Sequence, residues 1–374
     1  SIRWRESLSS SLEVPTEPQC NQRAGGYSSA ANGEVMKRPQ ASVSNRAMLL
    51  CTAITCVLLV FLPGTAHGWG DNGHRITAEI CQSQLSASAL AAVNAQMPSG
   101  FDLPDIATWP DSYDHTDEGA WSEPLHYVDL YADSRNFTYD VCFGEVAEYV
   151  GCVVTAIENF TAILKYENNV GNYTMCQGDD TDPDGEPCPL SYFIHFLGDS
   201  HQPLHVAYAS DLGGNQYNVD YMGDISNIHS VWDGKLLGTY EDNNDYDWWA
   251  VSQQLVGWVS NHTSEVDKYV SNMDPAFWAD ESFELTRLVA YNNHPGSVSP
   301  ASIGRETLYL PDFHIETISE HHERKHRRSA ESASSDCGCP EYGDNYYDRN
   351  IGVALRRMVQ GGVRAAKLLN EIYA

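Results

Sequence analysis

The chain has 374 residues, 42% hydrophobic and 11% aromatic, which is enough apolar material for a full core and argues against a disordered polypeptide. It carries 51 acidic against 22 basic residues, a formal charge of -29 that excludes recognition of nucleic acid through a broad basic surface. A polyanionic substrate would have to be attracted locally, and a cluster of divalent cations does this by reversing the field inside an acidic protein.

In chain order, residues 1–47 show no apolar periodicity and read as an upstream extension and n-region without a fold, with Met36 and Met48 as candidate starts. The apolar run at 48–62, MLLCTAITCVLLVFL, is too short to span a bilayer comfortably. Lys37, Arg38 and Arg46 precede it, and Ala66-His67-Gly68 offers a small-residue cleavage site. Residues 48–68 are therefore read as a signal peptide rather than an anchor. The mature chain, 69–374, is expected outside the cell or in a vacuole, without stable membrane association and with no obligate protein partner implied. Seven cysteines follow the cleavage site. In an oxidising compartment Cys142 with Cys152 and Cys176 with Cys188 are the cheapest local pairs, with one thiol left over or paired elsewhere. Four sequons, at Asn136, Asn159, Asn172 and Asn261, fit a glycosylated secreted protein.

Helical periodicity dominates the mature chain. Val146, Val150, Val153, Ile157, Phe160 and Leu164 form one apolar stripe, Trp248, Leu255 and Trp258 a second, and Ile351, Leu355, Met358, Ala366 and Leu369 a third. Asn215 to Tyr221, following Gly213-Gly214, is the best short β-ribbon. A mainly α, single globular domain is expected over 69–374. Its one interruption is a loop insertion at about 300–339, which contains the charged run Glu320–Arg328, EHHERKHRR.

The chemistry-bearing residues are histidines and aspartates. His195 and Asp199 lie four apart in YFIHFLGD, which puts an imidazole and a carboxylate on one helix face, and His205 follows after Pro203. His229 and Asp233 repeat the spacing in NIHSVWDGK. Upstream stand His74, Asp111 in ATWPDSY, and His126 and Asp129 in EPLHYVD. Neutral imidazole and carboxylate are what zinc takes. One HxxxD pair is more often a surface contact or a satisfied core histidine than a metal site. Two pairs with accessory histidines shift the balance, although spacing alone does not group ligands around particular ions.

The segments WGDNGH, WPD, LHYVD, HFLGDSHQPLH, GGN and HSVWD occur in the order seen in the class I zinc-dependent nucleases of fungi and plants, which this chain resembles from Trp69 to its last residue, apart from the insertion. That family is related to the bacterial zinc phospholipases C. The resemblance implies a helical fold with a trinuclear zinc cleft. In it Asp111, His126, His195 and Asp199 would hold the first zinc, and His205, His229 and Asp233 the second. The third would be bound by the amino nitrogen and carbonyl oxygen of Trp69, with His74 and a bridging carboxylate from Asp199. Asp129 takes the place of the acid that orients the attacking water, its alternative being a support for His126. Tyr127 occupies the base-stacking position, and Gly214 and Asn215 lie beside the nucleobase.

The implied activity is hydrolysis of single-stranded DNA and RNA to 5′-phosphorylated products, with removal of 3′-phosphates as a second capacity. Two alternatives stay open: a phospholipase C on the same fold, and a secreted metal-binding protein with little catalysis. Against the phospholipase stands Asp233, where that group tends to have glutamate. One departure bears on catalysis. Fungal members carry an arginine shortly after the WxD aspartate, and here the place is taken by Asp114, an acid expected to repel phosphate.

Overall fold

Residues 69–143, 151–179, 185–291, 308–313 and 338–374 are described in a computed structural model. The chain turns helical directly after Trp69-Gly70, as α1 (Asp71–Ser83), followed by α2 (Ala87–Asn94), α3 (Leu103–Ile106) and α4 (Trp109–Asp114). Strand β1 (Val128–Leu130) leads to α5 (Val153–Val170), α6 (Pro189–His201) and β2 (Val206–Tyr208). After β3 (Asn218–Tyr221) and β4 (Asp224–Asn227) come a short turn, Ile228–Ser230, a π-helical turn, Val231–Lys235, and α7 (Leu236–Asn244). Helices α8 (Trp248–Asn261), α9 (Thr263–Tyr269) and α10 (Pro275–Leu285), strand β5 (Glu341–Tyr342) and the 29-residue α11 (Asp344–Ile372) complete the order. The expected mainly helical fold is what the structure has.

Helix α6 explains much of the arrangement. Every residue from Pro189 to His201 is buried, and a helix buried all round belongs at the centre of a fold rather than on its face. Cys188 caps it, its sulfur accepting from the Ser191 amide at 3.3 Å, and Pro189 starts it where no amide partner is needed. One apolar cluster joins Ile157, Phe160 and Leu164 of α5 to Phe193, Phe196 and Leu197 of α6 and Trp278 of α10. A second joins Trp69 to Trp232, Leu255, Trp258, Leu355 and Met358.

The third predicted stripe is buried throughout α11, while in the second Trp248 is only half-buried; Val146 and Val150 lie outside the described residues. Helix α11 crosses α1 at Gly361-Gly362. A Cβ on Gly362 would sit 2.6 Å from Ile80 Cγ2 and 2.8 Å from the Thr77 carbonyl, so only glycine permits this approach. Two fully buried arginines of α11 reach the end of α6: Arg357 Nε donates to the His201 carbonyl at 3.1 Å, and Arg364 Nη1 lies 2.8 Å from His201 Nε2. Glu281 of α10 accepts from both, at 3.1 and 2.6 Å, so the buried charges are paired. Burial and the two arginines push the His201 imidazole well below its ordinary value, keeping it neutral. Its place beside the ligand motif is structural.

The ribbon expected at 215–221 forms as β3, paired antiparallel with β4 (Asn218 opposite Asn227) and parallel with β5 (Tyr221 opposite Tyr342). A second small sheet, unanticipated, pairs β1 with β2 in parallel, Asp129 opposite Ala207. Disulfides Cys142–Cys152 and Cys176–Cys188 are present, Cys81 is a buried thiol, and Cys339 is disulfide-bonded. Asn136, Asn172 and Asn261 are exposed and Asn159 is half-buried. Among the described residues no helix is long and apolar enough to cross a membrane. The charged run at 320–328 and most of the expected insertion lie outside the described residues.

Candidate metal centre

Eight of the predicted side chains converge, two of them from a single helix. His74 comes from the first turns of α1 and Asp111 from α4, which Pro110 helps to start. His126 follows a 3₁₀ turn, Glu123–Leu125; His195 and Asp199 share one face of α6; and His205 ends the 3₁₀ turn Pro203–His205. His229 lies in the short turn after β4, with Asp233 in the π-helical turn that follows, a departure from α geometry of the kind often found at functional sites. Three groups of donor atoms converge: Asp111, His126 and His195; His74, His195 and Asp199; and His205, His229 and Asp233.

The distances carry chemical meaning. His195 Nε2 lies 3.1 Å from Asp111 Oδ1, 3.3 Å from Asp199 Oδ2 and 3.0 Å from His126 Nδ1. His126 Nδ1 lies 3.4 Å from Asp111 Oδ1 and 3.1 Å from Asp199 Oδ2. A tetrahedron with metal–ligand bonds of about 2.0–2.1 Å has edges of about 3.3 Å, so these four donors frame a space of the size a zinc ion takes. Asp199 presents its other oxygen, Oδ1, to His74 Nε2 at 3.2 Å, and one carboxylate thereby faces two groups. The second site has the same scale, with His205 and His229 Nε2 atoms 3.2 Å apart and His229 Nε2 3.5 Å from Asp233 Oδ2.

Backbone carbonyls set which nitrogens face inward. His195 Nδ1 donates to the Ala107 carbonyl (2.7 Å), His205 Nδ1 to that of His126 (2.6 Å) and His229 Nδ1 to that of Gly213 (2.7 Å). A carbonyl only accepts, so each Nδ1 bears the hydrogen, and this fixes the tautomer in the way typical of metal-ligating histidine. The facing Nε2 atoms of His205 and His229 then meet lone pair to lone pair unless a proton or cation lies between them. Both oxygens of Asp199 and both ring nitrogens of His74 are buried without a hydrogen bond, a costly state that a bound cation relieves. The residues fit a zinc cluster.

Without an ion, protons take up that role. Burial alone would lower the imidazoles, but Asp111 and Asp199 outweigh it, carrying His126 up to about 9 and His195 well above its ordinary value. Metal loading near neutral pH displaces those protons. His74 stacks on His195 with ring centres 3.9 Å apart, and Gly198 makes room for it. A Cβ on Gly198 would lie 2.8 Å from His74 Nδ1. In a helix interior Gly→Ala ordinarily stabilises by about 1 kcal/mol. Here Gly198→Ala is expected to do the opposite, lowering the melting temperature and zinc content together, and a more stable variant with full zinc would contradict this packing.

Asp129 sits in β1, partly buried, and is pushed up to about 6 by burial and then by the charges of Asp211 and Glu123. A folded-state value above the unfolded one means that the folded protein holds this proton more tightly. Stability is therefore lost as pH rises from about 4 to about 6. In metal-stripped protein Asp129→Asn should gain up to about 3 kcal/mol at pH 7, the gain vanishing below about pH 4. Equal denaturation midpoints at pH 7 would show that Asp129 is not held in this way.

Tyr127, half-buried, donates to Glu123 Oε1 at 3.1 Å. Gly214 N donates to Asp211 Oδ1 at 3.1 Å, and the Asn215 amide is turned back on the Leu212 carbonyl at 3.0 Å, so the GGN loop is braced from within. Trp69 is fully buried, and the next amide, Gly70, donates to the Asp233 carbonyl at 2.8 Å, tying the segment to the second group. An open cleft of about 560 Å³ runs past Gly70, Asp71, Asp111, Ser112, His115, Ser230 and Asp233.

The family model for S1/P1 nuclease matches residues 69–374. The chain belongs to the S1/P1 nuclease family. The match covers the helical unit together with all three donor groups, and the S1/P1 nucleases are zinc-dependent phosphodiester hydrolases. Endonuclease 2 of Arabidopsis thaliana is 28% identical over 86% of this chain and 96% of its own length. Nuclease S1 of Aspergillus oryzae is 33% identical over 46% of this chain and 55% of its own, and nuclease P1 of Penicillium citrinum 30% identical over 51% and 72%.

One residue lies otherwise than its place in the sequence suggests. Asp114 is expected from its place in the sequence to repel phosphate, but its side chain is only 3% exposed, turned inward between His115 and His126. His115 is an exposed residue at the cleft wall, its Nδ1 donating to the Asp111 carbonyl at 2.7 Å. The signal that was available is the i,i+3 spacing of Asp111 and Asp114, which puts both acids on one side of α4.

Proposed function

We propose that this chain is a secreted zinc endonuclease that cleaves single-stranded DNA and RNA to 5′-phosphorylated products and also removes terminal 3′-phosphates. The observation that carries it is the four-donor frame of Asp111, His126, His195 and Asp199, with edges of 3.0–3.4 Å, which reaches an open cleft through Asp111. Three donor groups support a reading of three zincs per chain. Asp111, His126, His195 and Asp199 would hold the first and His205, His229 and Asp233 the second. Trp69, through its amino nitrogen and carbonyl oxygen, would hold the third with His74 and Asp199. When bound, zinc supplies Lewis acidity toward the phosphodiester and makes water a nucleophile near neutral pH.

The remaining work falls to the chain itself. Asp129, three residues beyond His126 on a strand pinned to β2, accepts a hydrogen bond from the attacking water and fixes its direction. Tyr127 offers a ring to an unpaired base, and Gly214 and Asn215 present backbone and amide beside it. Stacking of unpaired bases is the source of single-strand preference. The acidic surface contributes nothing to holding the backbone, so affinity rests on the cleft. We further propose that residues 48–68 are a signal peptide, that cleavage exposes Trp69, and that 69–374 is the working domain in an extracellular or vacuolar compartment.

Digestion of single-stranded DNA, duplex DNA and phosphatidylcholine by the mature, zinc-loaded protein tests this reading. Single-stranded DNA should be consumed far faster than duplex, with 5′-phosphate ends, and Asp129→Asn should lower kcat by about 10²–10⁴. Phosphatidylcholine hydrolysis without nucleotide release would replace it with a phospholipase C. A protein that holds zinc but cuts neither would be the non-catalytic alternative.

A further inference from the structure

Among the outward ring nitrogens of the centre, that of His126 faces a carboxylate rather than a carbonyl. His126 turns Nδ1 toward Asp111, His195 and Asp199, so its Nε2 points away from the ion. That atom is buried and makes no hydrogen bond, and it faces Asp114 Oδ2 at 3.7 Å. Phe196 and His195 stand edge-on to the ring, with centres 4.9 and 4.8 Å away, which fixes its plane. His195, His205 and His229 each give their outward nitrogen to a backbone carbonyl. His126 instead faces a carboxylate, whose other oxygen binds His115 Nδ1 at the cleft wall.

We infer that Asp114 is a positioning residue of the zinc centre, its carboxylate drawing the Nε2 hydrogen of His126 so that Nδ1 is presented bare and more basic to the metal, while its second oxygen holds His115 at the cleft wall. Such partners of a ligating histidine orient the ring and raise its donor strength, and their loss typically costs tenfold to a hundredfold in metal affinity. The acid that stands where fungal relatives have arginine thus acts on the metal, not on the phosphate. This inference rests on the zinc-centre reading.

Competition between the mature protein and a chromogenic chelator for zinc, followed ion by ion, supplies the test. Wild-type protein should hold three ions. Asp114→Ala should weaken one of them about tenfold to a hundredfold, and Asp114→Asn, whose amide oxygen still accepts, should lose less. His115→Ala should leave all three affinities unchanged, which separates the His126 arm from the His115 arm. In zinc-loaded Asp114→Asn the imidazole ¹⁵N signals should still place the His126 hydrogen on Nε2, and kcat should fall with KM nearly unchanged. Wild-type zinc affinities in both Asp114 variants, or an equal loss in His115→Ala, would overturn the inference while leaving the nuclease reading intact. A wild-type protein that retains no zinc would remove both. Should Asp114→Ala fail to fold, Asp114→Asn, nearly the same shape, decides the outcome.

Discussion

A chain that begins one residue before Trp69 is expected to fold, to bind one zinc fewer and to lose activity on the order of a hundredfold or more. A free amino group donates its lone pair to a metal, whereas a peptide nitrogen has its pair delocalised into the carbonyl. The segment cannot compensate by swinging aside. The Trp69 side chain is fully buried, and the Gly70 amide is tied to the Asp233 carbonyl at 2.8 Å. Secreted chains beginning at Gly68 and at Trp69, compared for zinc content, melting temperature and hydrolysis of single-stranded DNA, make the measurement. Equal activity in the two would remove Trp69 from the ligand set.

Substitution of Asp199 should have the largest effect of any single side chain. Its two oxygens lie 3.3 Å from His195 Nε2 and 3.2 Å from His74 Nε2, so one carboxylate serves two of the three groups. Asp199→Ala is expected to strip about two zincs and reduce activity at least about a thousandfold. Asp233→Ala should strip one. Because the groups act together, combining the two should cost far less than the product of the separate losses. In the metal-free state burial opposes ionisation of Asp199, but the imidazoles of His195, His205 and His126 override it and hold the carboxyl well below the usual range. The variant therefore also removes a buried counter-charge, and apo-protein melting should be read beside zinc content. A two-zinc Asp199→Ala protein would show that the bridge is dispensable.

Ligand types and spacings were legible in the sequence because a side chain that binds metal must be histidine, cysteine or an acid, and the helix puts residues four apart on one face. His195 with Asp199 and His229 with Asp233 are such pairs, though the second lies across a π-helical turn that the spacing does not reveal. The apolar stripes of α5 and α11 were equally plain. What escaped was whatever any residue can supply. The carbonyls of Ala107, His126 and Gly213 orient three imidazoles, and a carbonyl has no sequence signature. The β1–β2 pair is three residues long on each side, too short for alternation to show, yet it sets Asp129 beside Ala207. Asp114 was misjudged because its residue type was visible and its direction was not.

The close crossing of α11 on α1 through Gly361-Gly362 has a consequence for biosynthesis. Residues 74 to 233 carry every side chain proposed to bind zinc, and they emerge well before α11. The helix that bears His74 nevertheless completes its packing when Gly361 and Gly362 close against Thr77 and Ile80. Loading of the group that includes His74 is therefore expected to follow the arrival of the last helix rather than synthesis of the ligands. Chains cut before Asp344 are accordingly expected to hold less zinc than the whole domain although every donor side chain is present.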